Sequence, residues 1–450
     1  MELFNHQEHC AQFWSDHKRI FNTSDPGTGK TIASLEGYRR SIQGRLLVIA
    51  PLSILEPSWG DDTTKFLNGF KWAVAHGSEK KRTAAFQSDA DIIIMNHDGV
   101  KWLAKNLHLL ENISHCVVDE FTAFKNKQTQ RSKALAELLK KIEYVVMLSG
   151  TPNSNHITDI WYPAYMIDGG DRLGRNFFHF RDQVCTPVQV GPRPEMRQWV
   201  EKEGAREMVA HLLSDITVRY QFDDCLDVPE HSIHTYFVDM PSQVMRQYNE
   251  LLEASFLETQ NGEISAVHAG SRIKKLLQLL SGAVYDEDGE IVKVHDNRYE
   301  LVMQLAAERE QCVVAFNWRH EREALTRWAE KYGFTYGFID GSVATSDRTR
   351  MVNEFQDGKL KLIMAHPQSA GHGLTLTRGT STIWASPTYN AEHFIQFNRR
   401  IYRAGQTRKT ETIRIAARDT AEIDVYDKLD GKVERMQDLL NLMCQLRRKQ

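Results

Sequence analysis

One stretch limits what this chain can fold into: Ser24-Asp25-Pro26-Gly27-Thr28-Gly29-Lys30-Thr31. Closely spaced glycines let backbone N–H groups turn inward and cradle phosphate oxygens. Lys30 is placed to meet the β- and γ-phosphates of a nucleotide, and the Thr31 hydroxyl to bind Mg²⁺. Ile32, Leu35 and Tyr38 follow at helical spacing, so the loop opens a helix whose N-terminal dipole favours anions. The usual pattern begins with Gly, and here that place holds Ser24. Taken alone, the stretch also reads as a glycine-rich turn that binds nothing.

A phosphate loop of this kind belongs in an α/β lobe, and the apolar runs agree. Leu46 to Ile49, Ile92 to Ile94, Cys116 to Val118 and Val145 to Leu148 are continuous and β-branched rather than alternating. Strands look like this when helices cover both faces of a parallel sheet. Residues 157–239 are richer in aromatics and helical spacing and poor in such runs. Ser242 then opens a helix carrying Val244, Tyr248, Leu251 and Leu252 on one face. Val284 to Val294 reads as a hairpin turning at Asp288-Gly289. Further runs at 312–316, 338–339, 360–364, 382–384 and 412–415 make a second α/β lobe. The expected layout is an N-terminal nucleotide-binding lobe at 1–156, a helical insert with a hairpin at 157–298, a second lobe at 299–430, and a C-terminal amphipathic helix at 431–450.

A chain of 450 residues exceeds one ordinary core, which fits two or three domains. No apolar run approaches a membrane span, and the N-terminus does not resemble a signal peptide. The six cysteines are scattered singly, and neither they nor the 18 histidines show metal-ligand spacing, so a reducing cytoplasm is expected. The net charge of −3 announces no nucleic-acid binder. Local basic clusters do exist: Lys80-Lys81-Arg82, residues 125–133, residues 399–409 and Arg447-Arg448-Lys449. Each also reads as a solvated face.

Three motifs carry chemistry. Val117-Val118-Asp119-Glu120 ends a buried strand with two adjacent carboxylates. In a nucleotide hydrolase the first holds Mg²⁺ through water, and the second polarises the water that attacks the γ-phosphate. Leu148-Ser149-Gly150-Thr151-Pro152 ends the next strand with small hydroxyl residues able to hydrogen-bond that pair. Residues 396–406 are dense in guanidinium, and Arg400 and Arg403, three apart, share a face if helical. They read as arginine fingers for a γ-phosphate, or as a basic surface touching solvent or DNA.

Taken together, these residues resemble a Swi/Snf-type ATPase of helicase superfamily 2, in a compact form like those of bacteriophages. His6-Gln7 resembles the adenine-reading Q motif, residues 25–31 motif I, and Ile49-Ala50-Pro51-Leu52-Ser53 motif Ia. His76-Gly77 and Asn96-His97 lie where the family has short signals. Asp119-Glu120 with the trailing Lys125-Asn126 resembles motif II, and residues 149–155 motif III. Residues 313–318, ending in Trp318, resemble motif IV, and Asp340-Gly341-Ser342 with Arg350 and Phe355 the segment after it. Ser369-Ala370-Gly371-His372-Gly373-Leu374-Thr375-Leu376 resembles motif V, and residues 396–406 motif VI. Motif II departs in reading Asp-Glu-Phe-Thr, and Thr375 replaces a familiar Asn.

The resemblance implies two RecA-like parallel-sheet lobes with helical protrusions, and ATP with Mg²⁺ as cofactors. It implies catalytic roles for Lys30, Asp119, Glu120, Arg400 and Arg403. Nucleotide contacts are implied for Gln7, Asp25, Gly27, Thr28, Gly29, Lys30, Thr31, Gly373, Arg400 and Arg403, with Thr31 and Asp119 at the metal. DNA contacts are implied for Pro51, Ser53, His97, Lys125, Asn126, Trp318, Ser369 and Gly371. The partner is DNA, duplex and branched, met mainly at phosphate. No membrane is expected, and protein partners leave no readable motif. The expected activity is a DNA-dependent ATPase that translocates on DNA, moves branch points and unwinds little. If phage-encoded, it would work in the bacterial host cytoplasm. A translocase that strips proteins from DNA, or the motor of a restriction-type complex, is the alternative. A catalytically dead DNA-binding scaffold fits poorly with the intact set of catalytic residues.

Two features stay open at this stage. Arg175-Asn176-Phe177-Phe178-His179-Phe180-Arg181 mixes aromatics with basic residues. It is expected as the insert's own core, with base stacking as the other reading. The hairpin tip Asp286-Glu287-Asp288-Gly289-Glu290 is acidic and would repel phosphate, so a surface hairpin is favoured over a strand-separating pin.

Overall fold

The first sheet shows why continuous apolar runs mattered. Its strands are β1 (Arg19–Asn22), β2 (Arg45–Ala50), β3 (Trp72–Ala75), β4 (Ile92–Asn96), β5 (Ile113–Asp119) and β6 (Tyr144–Leu148). Later in the chain, β7 (Cys185–Gln189) and β8 (Arg197–Glu201) make a separate two-stranded ribbon, and β9 (Thr217–Val218) returns to the main sheet. The seven strands are all parallel, in the order β3-β4-β2-β5-β6-β1-β9. The side chains from Leu46 to Ala50 have no exposed surface, nor do those from Ile92 to Met95. Each such aliphatic side chain contributes about 1.5–3 kcal/mol by leaving water.

The structure is a computed structural model that describes residues 3–152, 156–189, 196–260, 266–286, 288–370 and 374–447. Over 254–260, 266–272 and 436–447 it gives the backbone alone. Contacts divide the chain into two units. One comprises Met1–Val188, Gln198–Asp227 and Lys432–Gln450, and the other Gln189–Arg197 and Val228–Gly431. The stretch 157–298, expected as one insert, is thus shared between the units at Asp227. The C-terminal helix begins at Ala421 and runs to Arg447.

The second unit holds a six-stranded, all-parallel sheet. Its first strand is β10 (His231–Val238). The antiparallel hairpin β11 (Ala283–Tyr285) and β12 (Ile291–Lys293) comes next, where the Asp288-Gly289 signal placed it. The sheet continues with β13 (Cys312–Ala315), β14 (Tyr336–Ile339), β15 (Leu362–Ala365), β16 (Ser381–Trp384) and β17 (Thr410–Ala417), in the order β10-β17-β16-β13-β15-β14. β10 corrects the reading of residues 157–239 as poor in strands. It is an edge strand, and Ile233, Tyr236 and Phe237 remain exposed. Its polar and apolar residues therefore mix without a buried run.

A buried ion pair fastens this unit. Arg298 and Glu422 are both fully buried, 2.9 Å apart. Arg298 also donates to the Ala385 carbonyl, and Glu422 accepts from the Ala417 N–H. Such a pair holds only with extra hydrogen bonds of this kind, and Arg298 Nε has none among the described residues.

Candidate nucleotide site and arginine segment

Strand register gathers the first unit's motifs. Asn22 of β1 lies level with Leu148 of β6, and Leu148 level with Asp119 of β5. The loops leaving these three strands therefore sit side by side at their carboxyl ends, where parallel sheets take their ligands. On the far side of β5, Ile49 is level with Val118, and Ala50 with Asn96 of β4. That places Pro51, Ser53 and His97 along the same edge.

The phosphate loop leaves β1 and opens the helix Lys30–Arg40. Gly27 and Gly29 take φ of 90° and 84°, a region glycine enters without steric cost. Thr28 donates from its hydroxyl to the Asp25 carbonyl, 2.8 Å. Lys30 Nζ donates to the carbonyls of Ser24 (2.7 Å) and Asp25 (3.1 Å), so the ammonium lies folded against its own loop. Burial pushes Lys30 below its ordinary value, while Glu120, Asp119 and Asp25 pull it back. Thr31 is half-buried on the helix's first turn. His6 Nε2 and Gln7 Nε2 both donate to the Thr28 carbonyl, at 2.8 and 3.2 Å. Gln7 lies so close to Gly29 that a Cβ there would come within 2.3 Å of its amide nitrogen.

Asp119 and Glu120 end β5. Burial, and then the neighbouring Glu120, push Asp119 up to about 7, against the hydrogen bond it accepts from Trp59 Nε1 at 3.0 Å. Glu120 has φ 51° and ψ 58°, a left-handed conformation that costs a side-chain-bearing residue roughly 1–2 kcal/mol. Ser149 donates from its hydroxyl to Glu120 Oε2 at 3.3 Å, joining the end of β6 to the carboxylate pair. Gly150 leaves no room for a side chain, because a Cβ would come within 2.6 Å of Pro26. Residues 153–155 of the same motif lie outside the described residues.

The two departures in this unit have local explanations. Ser24 Oγ accepts from the Tyr220 N–H at 3.1 Å, a bond glycine could not make. Phe121, the Phe of Asp-Glu-Phe-Thr, is fully buried against Phe21 of β1, with centroids 5.2 Å apart.

Sequence reasoning missed a brace from residues 217–222. The Arg219 side chain, 2% exposed, meets Asp25 at 3.0 Å and donates to the Thr23 carbonyl at 2.7 Å. The Phe222 N–H bonds the other Asp25 oxygen at 3.1 Å, and the Tyr220 hydroxyl meets His9 Nδ1 at 2.7 Å. Trp59 was missed as well. It is fully buried on the π-helical turn Leu55–Gly60, which follows motif Ia after one short 3₁₀ turn. Single residues far from the motifs carry no spacing signal. For Trp59, the only hint was a large aromatic soon after a strand end.

The residues singled out for DNA are scattered. Pro51 and Ser53 are half-buried, and Leu52 between them is 55% exposed. His97 Nε2 donates to the Asp119 carbonyl at 2.8 Å, and its ring meets Phe124 edge-on at 5.0 Å, so it supports motif II from beneath. Lys125 pairs with Asp159 at 2.8 Å, and Asn126 is exposed. In the second unit Trp318 and Ser369 are half-buried. Trp318 Nε1 is buried with no hydrogen-bond partner among the described residues. Gly371 and Gly373 lie outside the described residues.

Arg400 and Arg403 are brought together, but not by a helix. The helix Ala391–Asn398 ends before them. Instead Arg400 NH1 and Arg403 NH1 both donate to the Leu374 carbonyl, at 3.3 and 2.9 Å, and Arg400 Nε donates to the Gln396 carbonyl. Gln406 holds the following turn through the carbonyls of Thr377, Gly379 and Ile401.

Two parallel-sheet lobes, one with a lysine-bearing glycine loop beside a carboxylate pair, define the class of two-lobed nucleotide-dependent motors. The chain belongs to the SNF2-related family of helicase superfamily 2, whose members are DNA-dependent ATPases. The SNF2-related domain matches residues 6–288, and the helicase conserved C-terminal domain residues 297–405. Protein p41 of Acyrthosiphon pisum secondary endosymbiont phage 1 is 28% identical, over 94% of this chain and 95% of its own length. Human DNA annealing helicase and endonuclease ZRANB3 is 23% identical over 94% of this chain, which spans only 39% of that protein. The SWI2/SNF2 ATPase core of Sulfolobus solfataricus, solved with double-stranded DNA, covers 98% of this chain and 93% of that one. It is 22% identical with a TM-score of 0.46, too distant to add to the family assignment. Among the described residues no helix is long and apolar enough to cross a membrane.

Proposed function

We propose that this chain uses ATP to translocate on DNA and to move branch points in forked or four-way structures, serving replication, recombination or repair. One observation carries the chemistry. At the carboxyl ends of β1, β6 and β5, a glycine loop with Lys30, the pair Asp119-Glu120 and the Glu120-bonded Ser149 stand side by side. In this reading Lys30 exchanges two loop carbonyls for β- and γ-phosphate oxygens. The N–H groups of residues 27–31 cradle the phosphates, with Asp25 fixing the loop's shape, and Gln7 reads the adenine edge. Glu120 orients the attacking water and takes its proton, while Arg400 and Arg403 stabilise charge on the transferring phosphoryl group.

The residues also suit Mg²⁺. A hydroxyl and a carboxylate oxygen are hard donors of the kind Mg²⁺ takes beside phosphates. Burial and the adjacent Glu120 raise Asp119 to about 7, a strain on its charged form that a bound cation would relieve. Thr31 and Asp119 would hold the ion, which supplies charge neutralisation at the phosphates. DNA would meet Pro51, Ser53, Lys125, Asn126, Trp318 and Ser369 mainly through its backbone, so binding should fall with salt and depend little on sequence.

Branch migration is favoured over extensive unwinding because it breaks and re-forms base pairs in equal number. Plain unwinding costs about 1.4 kcal/mol of stacking per step. The β11–β12 hairpin, with Asp286, Asp288 and Glu290 at its tip, is a poor wedge against phosphate. The likeness to a protein named as a DNA annealing helicase supports the same reading. The test is ATP hydrolysis with no DNA, single strand, duplex, fork and four-way junction, alongside conversion of labelled junctions. Stimulation by junctions with their conversion is expected. Rapid unwinding of long blunt duplex would overturn the branch-point assignment. So would inert junctions together with removal of a DNA-bound protein, and the protein-stripping alternative would then stand.

A further inference from the structure

Within the first unit, a cavity of about 490 Å³ opens between the tail of motif II and the helix Phe177–Val184. The mixed aromatic and basic segment at 175–181 forms one wall. Only part of it is core: Phe180 is 1% exposed, whereas Phe178 is 60% exposed. Asn176 fixes this outcome. Its side-chain oxygen accepts from the N–H groups of Phe178 and His179, starting the helix so that Phe180 and Val184 face inward and Phe178 does not.

The walls suit a flat, π-faced, negatively charged guest. Phe177 meets Trp161 edge-on at 5.5 Å. Lys127 Nζ lies 5.2 Å from the Trp161 ring; outside the lining, Arg181 lies 5.2 Å from the Phe178 ring and stacks on Trp199 at 3.4 Å. Lys125, Lys127 and Arg175 line the cavity against one carboxylate, Asp159, which Lys125 already engages at 2.8 Å. The lining therefore carries an excess of positive charge. The volume falls within the range of small-molecule sites, about 300–1,000 Å³. Every nucleobase has a π-face, so such a surface takes bases without reading them.

We propose that this cavity receives one unpaired nucleobase of a DNA strand, stacked on Phe178, with its neighbouring phosphate against Arg175 and Lys127. The proposal rests on the reading of the chain as a DNA motor. It adds a single-strand contact in the residues just after Asp119-Glu120, where a branch point would present unpaired bases.

The test is fluorescence anisotropy of the full chain with three probes of equal length: an oligodeoxythymidylate, an abasic strand and a blunt duplex. Phe178→Ala removes an exposed ring, and its thermal unfolding should match the parent. It should weaken oligodeoxythymidylate binding by roughly 5- to 150-fold, the loss of stacking one base. Abasic-strand and duplex binding should change less than about twofold. Arg175→Ala should weaken both single-stranded probes alike. Equal affinity of the parent for thymidylate and abasic strands would overturn the proposal, as would an unchanged Phe178→Ala. So would a Phe178→Ala loss shared by the duplex. If thymidylate binding ignores Phe178 while an acidic, aromatic peptide binds and depends on it, the cavity is a protein-docking site. Failure of the motor reading shows separately, as ATP hydrolysis that no DNA stimulates.

Discussion

The two lobes hold their chemical groups in different ways. In the first, side chains distant in sequence pin each loop: Arg219 holds Asp25, Trp59 holds Asp119, and Ser149 holds Glu120. In the second, Arg400 and Arg403 converge on the backbone carbonyl of Leu374. The first lobe thus fixes its carboxylates through partners from other loops. The second presents two cations gathered on one backbone carbonyl. Ground-state binding should therefore fail with changes to the first lobe's phosphate loop, and the chemical step alone with changes to Glu120 or to the second lobe's arginines.

The largest effect tests that division. Arg403→Ala or Arg400→Ala should lower turnover roughly 10³–10⁵-fold and leave nucleotide affinity near the parent's, by steady-state ATPase assay and nucleotide titration. The double variant should lose little more, because both serve one transition state. Lys30→Ala should lose nucleotide affinity as well as turnover. An arginine variant that hydrolyses ATP normally but binds DNA poorly would break the comparison and make the segment a DNA surface.

Glu120→Gln sharpens it from the other side. Turnover should drop about 10²–10⁴-fold with nucleotide affinity unchanged, since the residue acts on water. Substantial hydrolysis would show that the base lies elsewhere. Arg219→Met probes the brace, because it strands Asp25 without its buried partner. A loss on the order of 3–5 kcal/mol in urea unfolding is expected, confined to first-lobe peptides in hydrogen exchange. A loss no larger than for a surface ion pair would mean that the brace holds little.

The smallest effect is acid sensitivity. Burial lowers His115 in the first lobe, and His295 and His320 in the second, to about 4. Unfolded histidine takes its proton near pH 6.5, so stability present above that pH is lost as pH falls toward 4. One raised carboxyl per lobe opposes this, Asp119 and Glu321, each at about 7, since their folded forms hold protons the unfolded chain releases. Burial lowers His366 of the second lobe as well, so that lobe is left with two histidines that no raised carboxyl offsets. Between pH 7 and pH 5 it should lose at least on the order of 1–2 kcal/mol more than the first, read as urea midpoints with peptide-resolved exchange. Equal losses would remove that asymmetry.

What the sequence revealed follows the same contrast. Strands buried on both faces announced themselves, from Leu46 to Ala50 and from Ile92 to Met95. Edge strands did not: Trp72–Ala75 is half-covered, and His231–Val238 mixes histidine, serine and threonine with its apolar residues. The motif segments were legible because their residues lie beside one another in the sequence. Arg219 and Trp59 were not, since their partners lie 194 and 60 residues away across folded space, by the numbering of Asp25 and Asp119. The pairing of Arg400 and Arg403 was legible, but its means was not. Spacing suggested a helical face, and a shared carbonyl supplies it.

Glu120 sits where a glycine or asparagine would be at ease, at φ 51°. Selection for folding alone would drift away from glutamate at this position. On the role proposed for Glu120, a variant library sorted only for solubility or heat resistance would enrich inert proteins there, and their improvement would look like success until ATP was added.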